Sequence, residues 1–232
     1  MLRTWLLLLG ACGRIGFDLP PDDDLTPDDD ASQTSDAPQP IAACAPTLYF
    51  TDELDNAAAG PVFISQTQPE LGVVESGGVV SINFAPAVTF PQFAFYHTST
   101  PYTAAELCVT VEVAEVPLNG GAAFFKVGSG MNEIEFLARN GLLAQRTQTN
   151  GTATLLADVP FDLAMHRFWR LRHAGTTTIW ETSPDGSAFV QRASISGFFT
   201  VNNAKIYLGG GSATAVTNAG RARFARATAS GT

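Results

Sequence analysis

No apolar run in this chain is long enough to cross a bilayer as a mature helix, which excludes a helical membrane span in the body of the protein. Charged residues make up only 15% of 232, and no basic stripe interleaved with aromatics occurs, so nucleic acid is not an expected partner. No segment holds a helical apolar period over ten residues, which excludes a helix bundle or alternating α/β units. Of three histidines, His97, His166 and His173, none stands at ligand spacing from a cysteine, so no zinc site is expected. The loop acids Asp52, Asp55, Asp158, Asp162 and Asp185 form no dense cluster of the kind a calcium loop needs. Gly-x-Ser-x-Gly, Walker and His-Glu-x-x-His motifs are all absent. No cofactor is expected.

What is present begins with an address. Met1 to Ala11 has Arg3, an apolar core Trp5 to Leu9, and small residues before Cys12, the layout of an export signal. Leu9-Gly10-Ala11-Cys12 resembles the bacterial lipobox, which implies that Cys12 is lipidated, becomes the mature N-terminus and anchors the chain to a membrane. The rival reading is an ordinary signal peptide with a chance cysteine. Gly13 is not the Asp that retains enterobacterial lipoproteins at the inner membrane, so that analogy points to the outer membrane or cell surface. From Asp18 to Pro40 there are eight Asp and five Pro and almost nothing that could form a core, the composition of a disordered spacer. Those eight carboxylates make up most of the net charge of −9; from Ala45 onward 14 acids face 11 bases. The organisation expected is a signal peptide over 1–11, a lipidated cysteine and tether over 12–43, and one domain over 44–232.

The domain reads as β throughout. In Arg167 to Arg192, Trp169 and Leu171 alternate with Arg170 and Arg172, so one face is core and the other carries arginines. Ala174-Gly175 turns the chain into the β-branched and aromatic run Thr176 to Thr182, and Ser183-Pro184-Asp185-Gly186 turns it again into a third strand expected from near Ser187. Roughly a dozen short strands, punctuated by Asn119-Gly120, Asn140-Gly141 and Asn150-Gly151, predict two packed antiparallel sheets, an all-β sandwich or jelly roll. The Trp-Arg-Leu-Arg strand, its Gly turn and Glu-Thr-Ser-Pro-Asp-Gly resemble the concanavalin A-like lectin/glucanase superfamily, in particular bacterial laminin-G-like domains. Upstream, Leu48-Tyr-Phe-Thr-Asp-Glu-Leu-Asp55 and Gly77-Gly-Val-Val-Ser-Ile82 are similar to that family's opening strands. Phe189 stands where such domains often have Trp.

With Cys12 assigned to lipid, Cys44 and Cys108 remain. In an exported chain the pair is expected to be oxidised, closing a loop of about 65 residues worth roughly 4 kcal/mol in the chain-entropy model; two free thiols are the alternative.

Glucanases of the superfamily carry three acids on one strand face. Glu133-Ile-Glu135-Phe-Leu137-Ala138 holds only the first two, so the proton donor for the leaving group is missing, and both glutamates read as a solvated strand face rather than catalytic residues. An enzyme is not expected. For sugar binding, Trp180 is the candidate stacking residue, since Trp169 shares a face with Leu171, and Arg170 and Arg172 are candidates to line the same groove. Two functions of different class stand: a lipid-anchored glycan-binding or adhesive module, and a structural or protein-interaction domain of the envelope, with a divergent or inactive glycoside hydrolase as a distant third. Co-exposure of Trp180, Arg170 and Arg172 separates them.

Overall fold

The structure, a computed structural model, describes Cys44 and residues 47–54, 62–89, 91–129 and 131–232. The chain divides after Gln39, and every described residue belongs to the second unit, Pro40–Thr232. The expectations for residues 1–43, with the signal peptide, Cys12 and the tether, lie outside the described residues.

Among the described residues there are seventeen strands and no helix. In chain order these are β1 (Thr47–Asp52), β2 (Phe63–Gln66), β3 (Leu71–Ser76), β4 (Val79–Phe84), β5 (Ala87–Val88) and β6 (Gln92–Thr98). Then follow β7 (Leu107–Glu115), β8 (Ala122–Ser129), β9 (Asn132–Arg139), β10 (Leu142–Thr149), β11 (Thr152–Pro160) and β12 (Phe168–Ala174). The last are β13 (Thr177–Ser183), β14 (Val190–Ser196), β15 (Lys205–Ser212), β16 (Val216–Thr217) and β17 (Arg221–Gly231). An eight-stranded sheet has the order β14-β13-β12-β7-β17-β4-β3, with β1 also paired to β17. A seven-stranded sheet has the order β11-β10-β9-β8-β15-β6-β2, and β16 pairs with β5 as a small third ribbon. All pairings are antiparallel, as the alternation predicts.

Local chemistry explains the hairpins. Asn140-Gly141 and Asn150-Gly151 each have φ near +50° at Asn and +75° to +81° at Gly, the two-residue turn whose twist matches the flanking strands. They join β9 to β10 and β10 to β11. Asn119-Gly120 has the same backbone but serves a different purpose, carrying the chain from β7 in one sheet to β8 in the other. At Ser183-Pro184-Asp185-Gly186 the connection is longer than a tight hairpin. Asp185 accepts hydrogen bonds from the Ser187 and Ala188 amides and the Ser183 hydroxyl, which together hold its carboxyl far below the usual range. Those bonds keep residues 184–189 out of the sheet, so β14 starts at Val190, not near Ser187.

The core lies between the sheets. Trp169, Leu171 and Trp180 from the eight-stranded sheet meet Phe125, Ile134 and Phe136 from the seven-stranded one, and the Trp169 and Phe136 rings are 5.6 Å apart. Cys44 and Cys108 are disulfide-bonded, with Cα atoms 5.4 Å apart and a sequence separation of 64. The bond staples the start of the domain to β7, beside Ser230 of β17.

Candidate functional site

The outer face of the seven-stranded sheet is built on glycine. In β15, Gly210 faces the core, where a Cβ would come 3.0 Å from Ile82, while Gly209 and Gly211 face out. A Cβ on Gly209 would lie 1.9 Å from the Phe124 ring, and one on Gly211 would lie 2.4 Å from the Gln92 carbonyl and 2.5 Å from the Phe93 ring. The two missing side chains are therefore what allows Phe124 and Phe93 to lie down against the sheet. Phe124 is buried, whereas Phe93 and Phe95 remain half exposed above it.

Strand register lays the face out in rows. His97, Tyr207, Lys126, Glu135 and Arg146 stand directly opposite one another across β6, β15, β8, β9 and β10. Two residues further along the strands, about 7 Å away, the next row runs Phe95, Gly209, Phe124, Leu137, Ala144. Between and above these rows is a cleft of about 290 Å³, lined among others by Phe93, Phe95, Lys126, Glu135, Arg146 and Gln148. One row is polar and charged and the next is apolar, which is the mixture a carbohydrate-sized ligand needs, with ring faces for packing and fixed polar groups for orientation.

The charges in the cleft are tied together. The Lys126 ammonium is 3.0 Å from Glu133 and 4.0 Å from Glu135, and sits 5.0 Å and 5.4 Å from the Phe124 and Phe95 ring centres. Glu135 lies 3.4 Å from Arg146. Burial pushes the Glu135 carboxyl above the usual range, with Lys126 and Arg146 opposing and Glu133 reinforcing the shift. The Tyr207 hydroxyl is likewise raised by burial and then by Glu133. Among the described residues no group of three His, Cys, Asp or Glu side chains could hold a metal ion.

The structure revises the expected role of the Glu133 strand. Glu133 and Glu135 do point outward, but Glu135 is buried in the cleft wall and ion-paired to Arg146, and Glu133 is ion-paired to Lys126, rather than both being spread on a solvated face. Leu137 shares their face, and Ala138 is buried in the core, so alternation puts Leu137 where a third carboxylate of the glucanase pattern would stand.

The second correction concerns Trp180, Arg170 and Arg172, which do not come together on an open face. Trp180 is wholly buried between the sheets and donates its indole N–H to the Glu135 carbonyl at 2.9 Å, so no ring face is left for a sugar. Thr178 and Thr182, its same-face neighbours, are also fully buried, because that face of β13 looks inward. Arg170 and Arg172 do lie on the outer face, yet both are engaged by the buried Glu181, at 2.6 Å and 3.5 Å. Phe189 covers the Arg170 guanidinium at 3.7 Å. The cleft residues Phe93, Phe95, Lys126, Arg139 and Arg146 were not singled out from sequence; the usable signal was the outward phase of Lys126 and Arg146 opposite Glu135.

No protein-family model matches the chain, and no curated protein matches it in sequence. Solved structures match in fold. The chain is similar to a glycosyl hydrolase family protein from Mycobacterium fortuitum (13% identity, 79% of this chain and 99% of that one, TM-score 0.56). It is similar also to an endo-β-1,3-glucanase from Pyrococcus furiosus (9%, 78% and 93%, TM-score 0.57). The Ca²⁺-bound exoplasmic/lumenal domain of VIP36 matches at 11% identity, over 73% and 83%, with a TM-score of 0.51. The fold is thus the concanavalin A-like jelly roll, the two-sheet sandwich of these glucanase neighbours and of the VIP36 domain. At these identities the likeness concerns the fold and nothing finer.

Proposed function

We propose that the domain binds glycan chains along the outer face of its seven-stranded sheet without cleaving them, and that the protein is an exported lipoprotein carrying this domain at the cell envelope. The observation that carries the binding half is the cleft in which half-exposed Phe93 and Phe95 stand beside a fixed row of Lys126, Glu135 and Arg146. The non-catalytic half is supported by Leu137, which has no proton to give a leaving group, and by Lys126, which ties up both remaining carboxylates of the strand. The anchor is supported by Leu9-Gly10-Ala11-Cys12.

A second reading, a structural or protein-interaction domain of the envelope with no sugar site, is favoured by one observation: Trp169 and Trp180 are both fully buried, leaving no indole among the described residues for stacking. A glycan array with the purified chain decides between them. Binding that falls at least severalfold in Phe95→Ala is expected, and a blank array sinks the first reading. Hydrolysis of laminarin abolished by Glu133→Gln would overturn the non-catalytic half. Labelled palmitate is expected to enter the wild type and not Cys12→Ala.

A further inference from the structure

The cleft does not end at β10. A second cavity of about 400 Å³ continues over β10 and β11, and the residues common to its lining and that of the first are Leu137, Arg139 and Arg146. Together the two cavities span six strands from β6 to β11, about 24 Å at the usual strand spacing. Beyond the junction stand Leu142 and Leu155, both largely exposed, which offer an apolar floor. That geometry fits a polymer rather than a single sugar.

Any chain lying along it passes between two guanidinium groups. Arg139 sits opposite Leu142 and Arg146 opposite Glu135, one on each side of Leu137. Arg139 makes no ion pair among the described residues; it donates from Nε to the Gly120 carbonyl at 3.1 Å and reaches the Thr214 hydroxyl only at 3.5 Å. Arg146 has one carboxylate near it, Glu135, which Lys126 shares. Glu133 is committed to Lys126, and Asp158, the carboxylate lining the second cavity, pairs with neither arginine. Both guanidiniums are half-buried and neither has a carboxylate to itself; a neutral glycan offers them no counter-charge, whereas a planar or tetrahedral oxyanion accepts two parallel N–H bonds from each.

We propose that the ligand of this cleft is an anionic polysaccharide whose carboxylate or sulfate groups are held by Arg139 and Arg146 on either side of Leu137. The proposal rests on the glycan-binding reading above and names its ligand class. Affinity electrophoresis of the full chain in gels containing polygalacturonate, a sulfated galactan or neutral laminarin tests it. Retardation by one or both charged polymers, weakening steeply as salt is raised, is the expected result; which of the two retards the protein identifies carboxylate or sulfate as the source. Arg139→Gln and Arg146→Gln are each expected to lower that affinity about tenfold, with Arg146→Lys in between. The salt dependence of the wild type stands as a readout if a variant fails to fold. Retardation by laminarin alone, or binding of charged polymer that is indifferent to salt and to both variants, overturns the proposal and leaves glycan binding standing. No retardation by any of the three overturns both.

Discussion

The outer faces of the two sheets are made from the same residue types, arginine, glutamate and phenylalanine, with opposite results. On the eight-stranded sheet Arg170 stands directly across from Glu181, Arg172 reaches the same carboxylate, and Phe189 folds down from the β13–β14 connection over the pair. The ion pair is covered there, and the cleft of about 280 Å³ beside it is lined by Glu112, Phe168, Arg170 and Phe189. On the seven-stranded sheet Lys126, Glu135 and Arg146 also meet across strands, but Phe124 and Phe93 pack down over Gly209 and Gly211, with the Lys126 ammonium 5.0 Å from the Phe124 ring centre, and a cleft remains. What separates a structural ion pair from a ligand site here is whether an aromatic side chain has somewhere else to lie.

Glu181→Gln probes the covered ion pair and carries the largest expected effect. It leaves two guanidiniums without their counter-charge at a site where Glu181 is 1% exposed, and a cost of about 3–5 kcal/mol is expected in urea unfolding. A loss below about 1 kcal/mol would mean that water reaches the pair, and the contrast between the faces would collapse.

Gly209→Ala probes the open face. The added methyl group must displace Phe124 from the sheet, with an expected cost of about 1–3 kcal/mol and loss of glycan retention, since the ring moves into the cleft. Retained binding in a destabilised protein would show that the glycine floor serves stability alone.

The smallest effect concerns pH. His166, near the entry to β12, is shifted below its ordinary value by burial and then by Arg192, with Asp162 opposing, and its Nδ1 accepts a hydrogen bond from the Asp162 amide at 3.2 Å. Protonation is disfavoured in the folded state, so its contribution to stability is present above about pH 6.5 and is lost as pH falls through the folded-state value. Unfolding midpoints are expected to decline modestly on mild acidification, and His166→Gln should flatten that decline. A wild-type profile without slope there would disprove the assignment.

Part of the covered ion pair was within reach of sequence. The hairpin at Gly175 was expected, but its turn falls at Gly175-Thr176, one residue later than the expected Ala174-Gly175, so that Ala174 faces Thr177 and Arg170 stands opposite Glu181. A hairpin register is a local property. Less of the open face was legible in this way: β8, β9 and β10 are sequential neighbours, but Phe93 on β6 and Ser212 on β15 reach the cleft only through connections that cross between sheets.

By itself the sequence determined the all-β class and the positions of the Asn-Gly turns, because alternation and turn chemistry are properties of short segments; it left Cys44 and Cys108 either paired or free, and the structure shows them bonded. For β13, unlike β12, tertiary structure alone decided which side of the strand became the interior. Trp180 alternates with Ile179 and Glu181 on a strand that period two divides cleanly, but periodicity says only that the faces differ. Packing of β13 against β9, where the indole meets the Glu135 carbonyl, chose the one holding the tryptophan as core. The same non-local choice turned Glu135 from a surface acid into a buried member of the cleft.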